Sequence, residues 1–146
     1  PIELELNKLE LDPPKQEELT QLFGELEFRR IERILLRELP TENQILSTGG
    51  GTACFYGNMD WMLANGLVVY LKMSPSNLSQ RIIADREAGI VRHLVDFVSD
   101  EDMTEFVAKH LFERQGFYGQ AHHIIDGNLP LEEQVKALML VLPTED

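Results

Sequence analysis

The chain has 146 residues, of which 43% are hydrophobic and 26% charged, and its formal net charge is −12 at neutral pH. This length suits one domain with a single sizeable core. The excess of acidic groups disfavours non-specific binding to nucleic acids or anionic membrane surfaces, because both need clustered cations. It does not exclude an anionic metabolite, since a site responds to its local arginines.

The single cysteine and the short apolar runs indicate where the protein acts. Cys54 cannot form an internal disulfide, so a reducing cytoplasm is expected. The longest apolar runs, such as residues 66–71, are far too short to span a bilayer, and no signal peptide is visible. The sequence begins with Pro1 rather than Met, from which we expect a trimmed or incomplete start.

The first forty residues contain one ambiguous segment and one helical segment. Residues 1–15 alternate like a strand with a hairpin partner, but they also fit one helical face, and both interpretations stay open. Residues 16–39 carry an apolar stripe at helical spacing. Gly24 interrupts that stripe, and glycine inside a helix costs about 1 kcal/mol of stability relative to alanine. Two helices that meet at Gly24 are therefore an alternative to one helix. Pro40 ends the segment.

The next feature is a glycine triplet, Gly49-Gly50-Gly51, that follows an apolar run at residues 44–47 predicted to be a buried strand. Three residues without a Cβ let bare backbone approach a small polar ligand closely. Open α/β sheets place their sites in loops at the carboxyl ends of strands. A plain flexible turn is the alternative.

The remaining elements alternate between helix and strand. Ser74 and Pro75 are predicted to cap the middle helix, and Ser99 the next one. This order predicts a parallel sheet covered by helices. The predicted elements are a helix at 56–65, a strand at 67–73, a helix at 75–86, a loop at 87–96, a helix from 99, a strand at 124–125 and a helix at 131–142.

Several charged residues could carry chemistry. Arg29 offers a planar fork suited to a carboxylate, although surface pairing with Glu25 or Glu32 is the alternative. Arg92 lies in the loop best able to act as a lid, and a solvated surface arginine is its alternative. Arg114 ends a helix, where a cation also complements the helix dipole.

Two acidic residues and the four histidines are candidate metal ligands. Glu3 and Glu5 form an alternating carboxylate pair that could bind a divalent cation, with a solvated strand edge as the alternative. The histidines show no metal-like spacing with cysteine or acidic partners, which favours structural or surface roles.

Together these groups form one ordered series: Gly24-Glu25-x-x-Phe28-Arg29-x-x-Glu32, Ser47-Thr48-Gly49-Gly50-Gly51, Arg92-His93-Leu94-Val95 and Arg114-x-x-x-Tyr118-x-x-Ala121. This series resembles the shikimate kinase family over residues 16–142. The resemblance implies a P-loop-kinase-like, three-layer α/β/α fold with a parallel central sheet, one domain over residues 1–146, and a lid at about residues 87–98.

The family transfers the γ-phosphate of ATP to the 3-hydroxyl of shikimate, in the cytoplasmic pathway of aromatic amino acid biosynthesis. By resemblance, Arg29 and Arg114 hold the shikimate carboxylate, and the loop 49–51 lies against its ring. Arg92 resembles the lid arginine that closes over the ATP phosphates, and Arg86 is matched to the arginine near adenine.

The resemblance also implies ATP and Mg²⁺, with shikimate and ATP as the partners of a monomer that binds neither nucleic acid nor membrane. The nearest match to the family's metal-binding Asp-x-Asp pair is Glu3-Leu4-Glu5. An alternative register places those residues in the following helix, with the true pair upstream.

The sequence also departs from the family, since no Gly-x-x-x-x-Gly-Lys-[Ser/Thr] phosphate loop occurs in it. In the family a strand, this loop and a helix come first, so we expect an N-terminal part to be missing. The 146 residues are expected to bind shikimate but not ATP productively. A shikimate-kinase-like binding or regulatory protein that has lost ATP chemistry is the alternative. A plain α/β interaction module would leave the ordered series unexplained.

Overall fold

The computed structural model describes residues 13–40, 44–90 and 95–143. They fall into two compact units, Pro1–Asn58 and Met59–Asp146. The single domain over residues 1–146 stays a prediction.

The first unit is built on one long helix, α1, which spans Pro13–Glu38. The helix continues through Gly24, so the alternative of two helices meeting there is wrong. Among its described side chains, at residues 24–38, Leu36 is the buried apolar one, at 4% exposure. Pro40 follows the helix end, where a missing N–H is harmless.

The predicted strand at residues 44–47 is wrong in the structure, which shows no regular secondary structure from 44 to 49. A strand needs a hydrogen-bonded neighbour, and nothing in the described ranges pairs with this segment. The chain turns directly into a short 3₁₀ helix at Thr52–Cys54. The glycine triplet therefore leads into a tight turn.

The second unit contains the parallel sheet. Strand β1 pairs in parallel with strand β2, in a register that joins Val69 to His123 and Lys72 to Asp126. Parallel strands need a crossover connection, which helices α3 and α4 supply here. The predicted parallel α/β arrangement is confirmed. The elements are α2 Asn58–Asn65, β1 Val69–Lys72, α3 Pro75–Glu87, α4 Met103–Tyr118, β2 His123–Asp126 and α5 Leu131–Val141.

The two predicted helix caps have different outcomes. Ser74 caps α3 as predicted, since its hydroxyl accepts a hydrogen bond from the Asn77 N–H at 3.2 Å. The predicted cap at Ser99 is wrong, because α4 begins at Met103 with Asp102 in the cap position. Ser99 instead accepts from the Asp102 N–H at 3.2 Å, so it organises the turn before the helix.

The core of this unit joins α4 to the segment before it. Val98, Met103 and Val107 are buried, and Leu78 and Ile82 of α3 pack against them. Met103 has 0% exposure, and burying one such side chain contributes about 1.5–3 kcal/mol. This cluster holds α3 and α4 side by side.

Gly127, the residue after β2, packs against the end of β1 with no space for a side chain. Its N–H donates to the Lys72 carbonyl at 2.8 Å. A Cβ at this position would lie 2.6 Å from Met73 Cγ and 3.3 Å from the Lys72 carbonyl oxygen. Glycine is therefore the residue that this close approach requires.

Tyr70 of β1 stacks on Tyr118 of α4, with ring centroids 4.9 Å apart and an interplanar angle of 34°. Burial raises the pKa of Tyr70 above its usual 10.0, and the nearby Tyr118 charge raises it further. The neutral phenol is thus the form that the folded state favours.

We expect G127A to lower the free energy of unfolding by about 1–3 kcal/mol, because the added methyl group overpacks Met73 and Lys72. The matched control is G116A in α4, where a Cβ meets nothing within 4 Å. This substitution should raise the free energy of unfolding by about 0.5–1 kcal/mol, because alanine favours a helix more than glycine does. Urea unfolding of the three proteins measures both changes. A G127A protein as stable as wild type would contradict the close packing.

Tyr70 should make stability fall at alkaline pH. Because its folded pKa is raised, its contribution is fully present below the unfolded pKa and is lost as pH rises through the folded pKa. Urea unfolding from pH 9 to 11.5 should show a smaller loss for Y70F than for wild type. Equal losses in the two proteins would show that the stack does not hold Tyr70 neutral.

Candidate functional site

In the first unit, α1 and the glycine loop meet through side-chain hydrogen bonds. Glu25, Arg29 and Glu32 share one helical face at i,i+4 and i,i+3 spacing. The Thr52 hydroxyl donates to Glu32 Oε1 at 2.9 Å. That same carboxylate oxygen lies 3.6 Å from where a Gly49 Cβ would be. The predicted glycine loop therefore lies directly beside the predicted helix face.

Arg29 lies over an aromatic ring beside this loop. Its Cζ is 3.9 Å from the Phe55 ring centroid, a cation–π distance. Its Nη2 contacts Glu25 Oε2 at 3.3 Å, and both side chains are about a third exposed, at 31% and 40%. Such an exposed pair contributes about 0–1 kcal/mol. One long ion-pair contact occupies little of a fork with five N–H donors, so the fork can still receive a carboxylate.

The fold does not require glycine at position 49 or 51 of the triplet. Gly51 has φ −78° and ψ −26°, a conformation open to any residue. A Cβ at Gly49 or Gly51 would meet its nearest neighbours at 3.6 and 3.8 Å, which is ordinary contact. Gly49 and Gly50 are exposed. The lack of side chains leaves backbone accessible from outside, as an approaching ligand would need.

A second set of polar contacts behind the loop was missed by the sequence analysis. Arg37 Nη1 donates to Asn58 Oδ1 at 2.8 Å, and Asn58 Nδ2 donates to the Thr52 carbonyl at 2.9 Å. Asn58 is 1% exposed. Arg37 is eight residues after Arg29, close to the same helical face. That spacing is the sequence signal that could have pointed to Arg37 as part of the site.

In the second unit, a cleft of about 470 Å³ opens beyond the carboxyl ends of both strands, where open α/β sheets place their ligands. Met73 follows β1 and Gly127 follows β2, so the two strand ends form its floor. Its lining comprises Met73, Asn77, Gln80, Arg81, Ala84, Gly127, Asn128, Leu129, Leu131 and Gln134.

The polar groups of the cleft are held by hydrogen bonds. Asn128 Oδ1 accepts from the Ser74 N–H at 3.0 Å and from Asn77 Nδ2 at 2.9 Å. Gln134 Nε2 donates to the carbonyls of residues 127 and 129 at 3.1 and 2.6 Å. The exposed Arg81 lies with Nη1 3.3 Å from Met73 Sδ. Sequence analysis missed Arg81, which lies within α3, and Asn128, which lies two residues after β2.

Arg86, predicted as a nucleotide contact, has its guanidinium on the segment that precedes α4. It contacts Asp100 Oδ1 at 2.6 Å and donates to the carbonyls of Val95 and Val98 at 2.7 and 3.0 Å. These bonds anchor that segment to α3, which is a structural role. Arg86 is not among the cleft residues, and its nucleotide role stays a prediction.

The other predicted site residues are distributed as follows. Arg114 is half-buried in α4, four residues before the helix ends. Arg92, Glu3 and Glu5 lie outside the described residues. Among the side chains that the structure describes, at 24–40, 44–90 and 95–143, no cluster of three histidine, cysteine or acidic residues could hold a metal ion. None of the helices seen there has the length and apolarity to cross a membrane.

Known proteins of one family are similar to this chain. The shikimate kinase family model matches residues 14–142. A crystal structure of shikimate kinase from Bacteroides thetaiotaomicron is 33% identical, with a TM-score of 0.72, over 86% of this chain and 74% of that one.

Curated relatives carry the same name. A shikimate kinase from Azobacteroides pseudotrichonymphae is 42% identical over 111 residues, 73% of this chain and 64% of the relative, so the chain spans less than two thirds of that protein. One from Phocaeicola vulgatus is 36% identical over 144 residues, 92% of this chain and 81% of the relative. A match over nearly the whole chain, with the fold of a solved member, means that this chain belongs to the shikimate kinase family.

Proposed function

We propose that this chain supplies shikimate-binding and nucleotide-binding surfaces to an enzyme that transfers the γ-phosphate of ATP to the 3-hydroxyl of shikimate. The observation that carries the proposal is the Arg29 fork, 3.9 Å from the Phe55 ring and beside a loop in which the fold does not require glycine at position 49 or 51. A planar cation next to side-chain-free backbone suits a small ring that carries a carboxylate and hydroxyls.

In this proposal Arg29 binds the shikimate carboxylate through two N–H groups, and the backbone of residues 49–51 lies against the ring. Glu32 holds Thr52, and therefore the loop, in place. Arg114 is proposed as the second arginine on the carboxylate, a role that rests on the resemblance.

The cleft of the second unit is proposed to hold the adenine end of ATP. Its volume of about 470 Å³ falls within the usual range for small-molecule sites. Arg81 offers a planar cation for stacking on a base, and the strand-end loops offer backbone groups for its edge. Arg92 is proposed to stabilise the transferring phosphoryl charge, since phosphoryl transfer depends mainly on positioning and electrostatics.

The remaining expectations are Mg²⁺ as the companion of ATP, a cytoplasmic location, and a monomer without nucleic-acid or membrane partners. The metal prediction depends on Glu3 and Glu5, outside the described residues, so no catalytic step is assigned to the ion here.

The second candidate is a shikimate-kinase-like binding or regulatory protein without ATP chemistry. These 146 residues contain no Gly-x-x-x-x-Gly-Lys-[Ser/Thr] motif, so the two candidates differ in whether the natural protein carries such a loop outside them. Intact mass and N-terminal sequencing of the natural protein separate the two candidates. A preceding segment with a glycine-rich Lys-Ser/Thr loop favours the enzyme, and a coupled assay with ATP and shikimate then measures turnover.

We expect R29A to weaken shikimate binding about 10- to 100-fold, because a carboxylate loses a charge-assisted partner worth about 1.5–3 kcal/mol. Isothermal titration of the chain with shikimate measures the change. R30A, which removes the exposed neighbouring arginine, is the matched control and should bind like wild type. Wild-type protein that binds no shikimate, or R29A that binds equally well, would overturn the proposed site.

For the cleft we expect R81A to weaken adenosine binding about 3- to 30-fold, from the loss of a cation–π stack worth about 0.5–2 kcal/mol. Adenosine is the probe because it lacks phosphates and so needs no phosphate loop. R86A is the comparison variant, and it should lower the melting temperature while leaving adenosine affinity within about twofold. The reverse pattern would assign the base contact to Arg86 instead of Arg81.

A further inference from the structure

We propose that Arg37 is a positioning residue for the shikimate site, which acts through Asn58 on the segment from Thr52 to Phe55. The inference rests on the proposed function, since it concerns the geometry of the same site. The influence of Arg37 is proposed to pass through two acceptors that it contacts, Asn58 Oδ1 and the Tyr56 carbonyl.

The first link is a buried amide. Asn58 is 1% exposed, and its Oδ1 accepts from Arg37 Nη1 at 2.8 Å. Buried polar groups need partners, and within the described ranges no buried side-chain nitrogen or oxygen is without one. Removing the guanidinium would leave Asn58 Oδ1 without this donor. The amide would then have to turn or admit water.

The second link is the backbone conformation of Tyr56 and Gly57, which precede Asn58. Tyr56 has φ +54° and Gly57 has φ +66°, so two successive residues are left-handed, and the first is not glycine. Such a conformation persists only where surrounding contacts hold it. Arg37 Nη2 contacts the Tyr56 carbonyl at 3.4 Å, so one guanidinium holds the chain on both sides of Gly57.

The third link reaches the proposed substrate groups. Asn58 Nδ2 donates to the Thr52 carbonyl at 2.9 Å, and the Thr52 hydroxyl donates to Glu32 at 2.9 Å. Phe55, three residues on from Thr52, carries the ring under Arg29. A shift of Asn58 therefore changes both the loop position and the surface on which the Arg29 fork rests.

An arginine is needed because the two acceptors lie on different residues. A planar fork donates to both at once, whereas a lysine ammonium is a single point charge on a flexible stem. R37K keeps the charge and loses the fork, and R37M keeps most of the stem and loses both. The exposed Arg30 gives a matched control, R30M, on the same helix.

Shikimate affinity by isothermal titration is the primary measurement. We expect R37M to weaken binding about tenfold and R37K about three- to tenfold, with R30M unchanged. Adenosine affinity should stay within about twofold in every variant. Loss of both ligands together would mean general destabilisation and would overturn the inference. If R37M fails to fold by melting and circular dichroism, R37K carries the test.

A double-mutant cycle with R29A separates positioning from a purely structural role. If Arg37 acts by orienting the Arg29 site, R37K should cost shikimate affinity much less in the R29A background than in wild type. Additive losses would overturn the inference. If the proposed function is wrong, R29A alone leaves shikimate affinity unchanged. If R29A weakens shikimate binding and R37K does not, only the positioning role of Arg37 is wrong.

Discussion

The parallel pairing of β1 with β2 is the constraint on which the second unit depends. Parallel neighbours cannot be joined by a tight turn, so the chain between them must cross over, and α3 and α4 supply that crossover. The same pairing brings both carboxyl strand ends to one edge. The cleft is therefore a consequence of the sheet, and its polar side chains are fixed by bonds between the two strand-end loops.

The first unit is organised by polar contacts between a helix and a loop. Glu32 and Arg37 of α1 hold Thr52 and Asn58 through hydrogen bonds of 2.8–2.9 Å. Hydrogen bonds are directional, so they define the loop position more narrowly than apolar contact would. That suits a loop whose backbone is proposed to approach a ligand closely.

Local chemistry was enough to predict much of this fold. The run 67–73, rich in β-branched residues, predicted β1, and Ser74-Pro75 predicted the start of α3, because both signals act within a few residues. The predicted strand at 44–47 was wrong, because a strand also needs a hydrogen-bonded partner and that partner comes from a distant part of the chain. Ser99 failed as a helix cap because the same hydroxyl geometry also stabilises a plain turn.

The site was predicted less completely, for a geometric reason. Arg81 and Arg86 lie five residues apart on α3, and about 100° of rotation per residue puts them on different faces. Sequence alone did not show which face lines the cleft. The Arg37–Asn58 contact joins residues 21 positions apart, and no local spacing rule predicts it. Arg29 and the glycine loop were predicted as site residues because their residue types suit a carboxylated ring, and that role stays a prediction.

The tight crossing at Gly127 affects how natural variants of this protein should be interpreted. Gly127 and Met73 both form the cleft floor, and a side chain at position 127 would push against Met73. A survey of activity alone would score such a variant as a lost ligand contact. Its true origin would be a displaced floor, which a smaller residue at position 73 would restore.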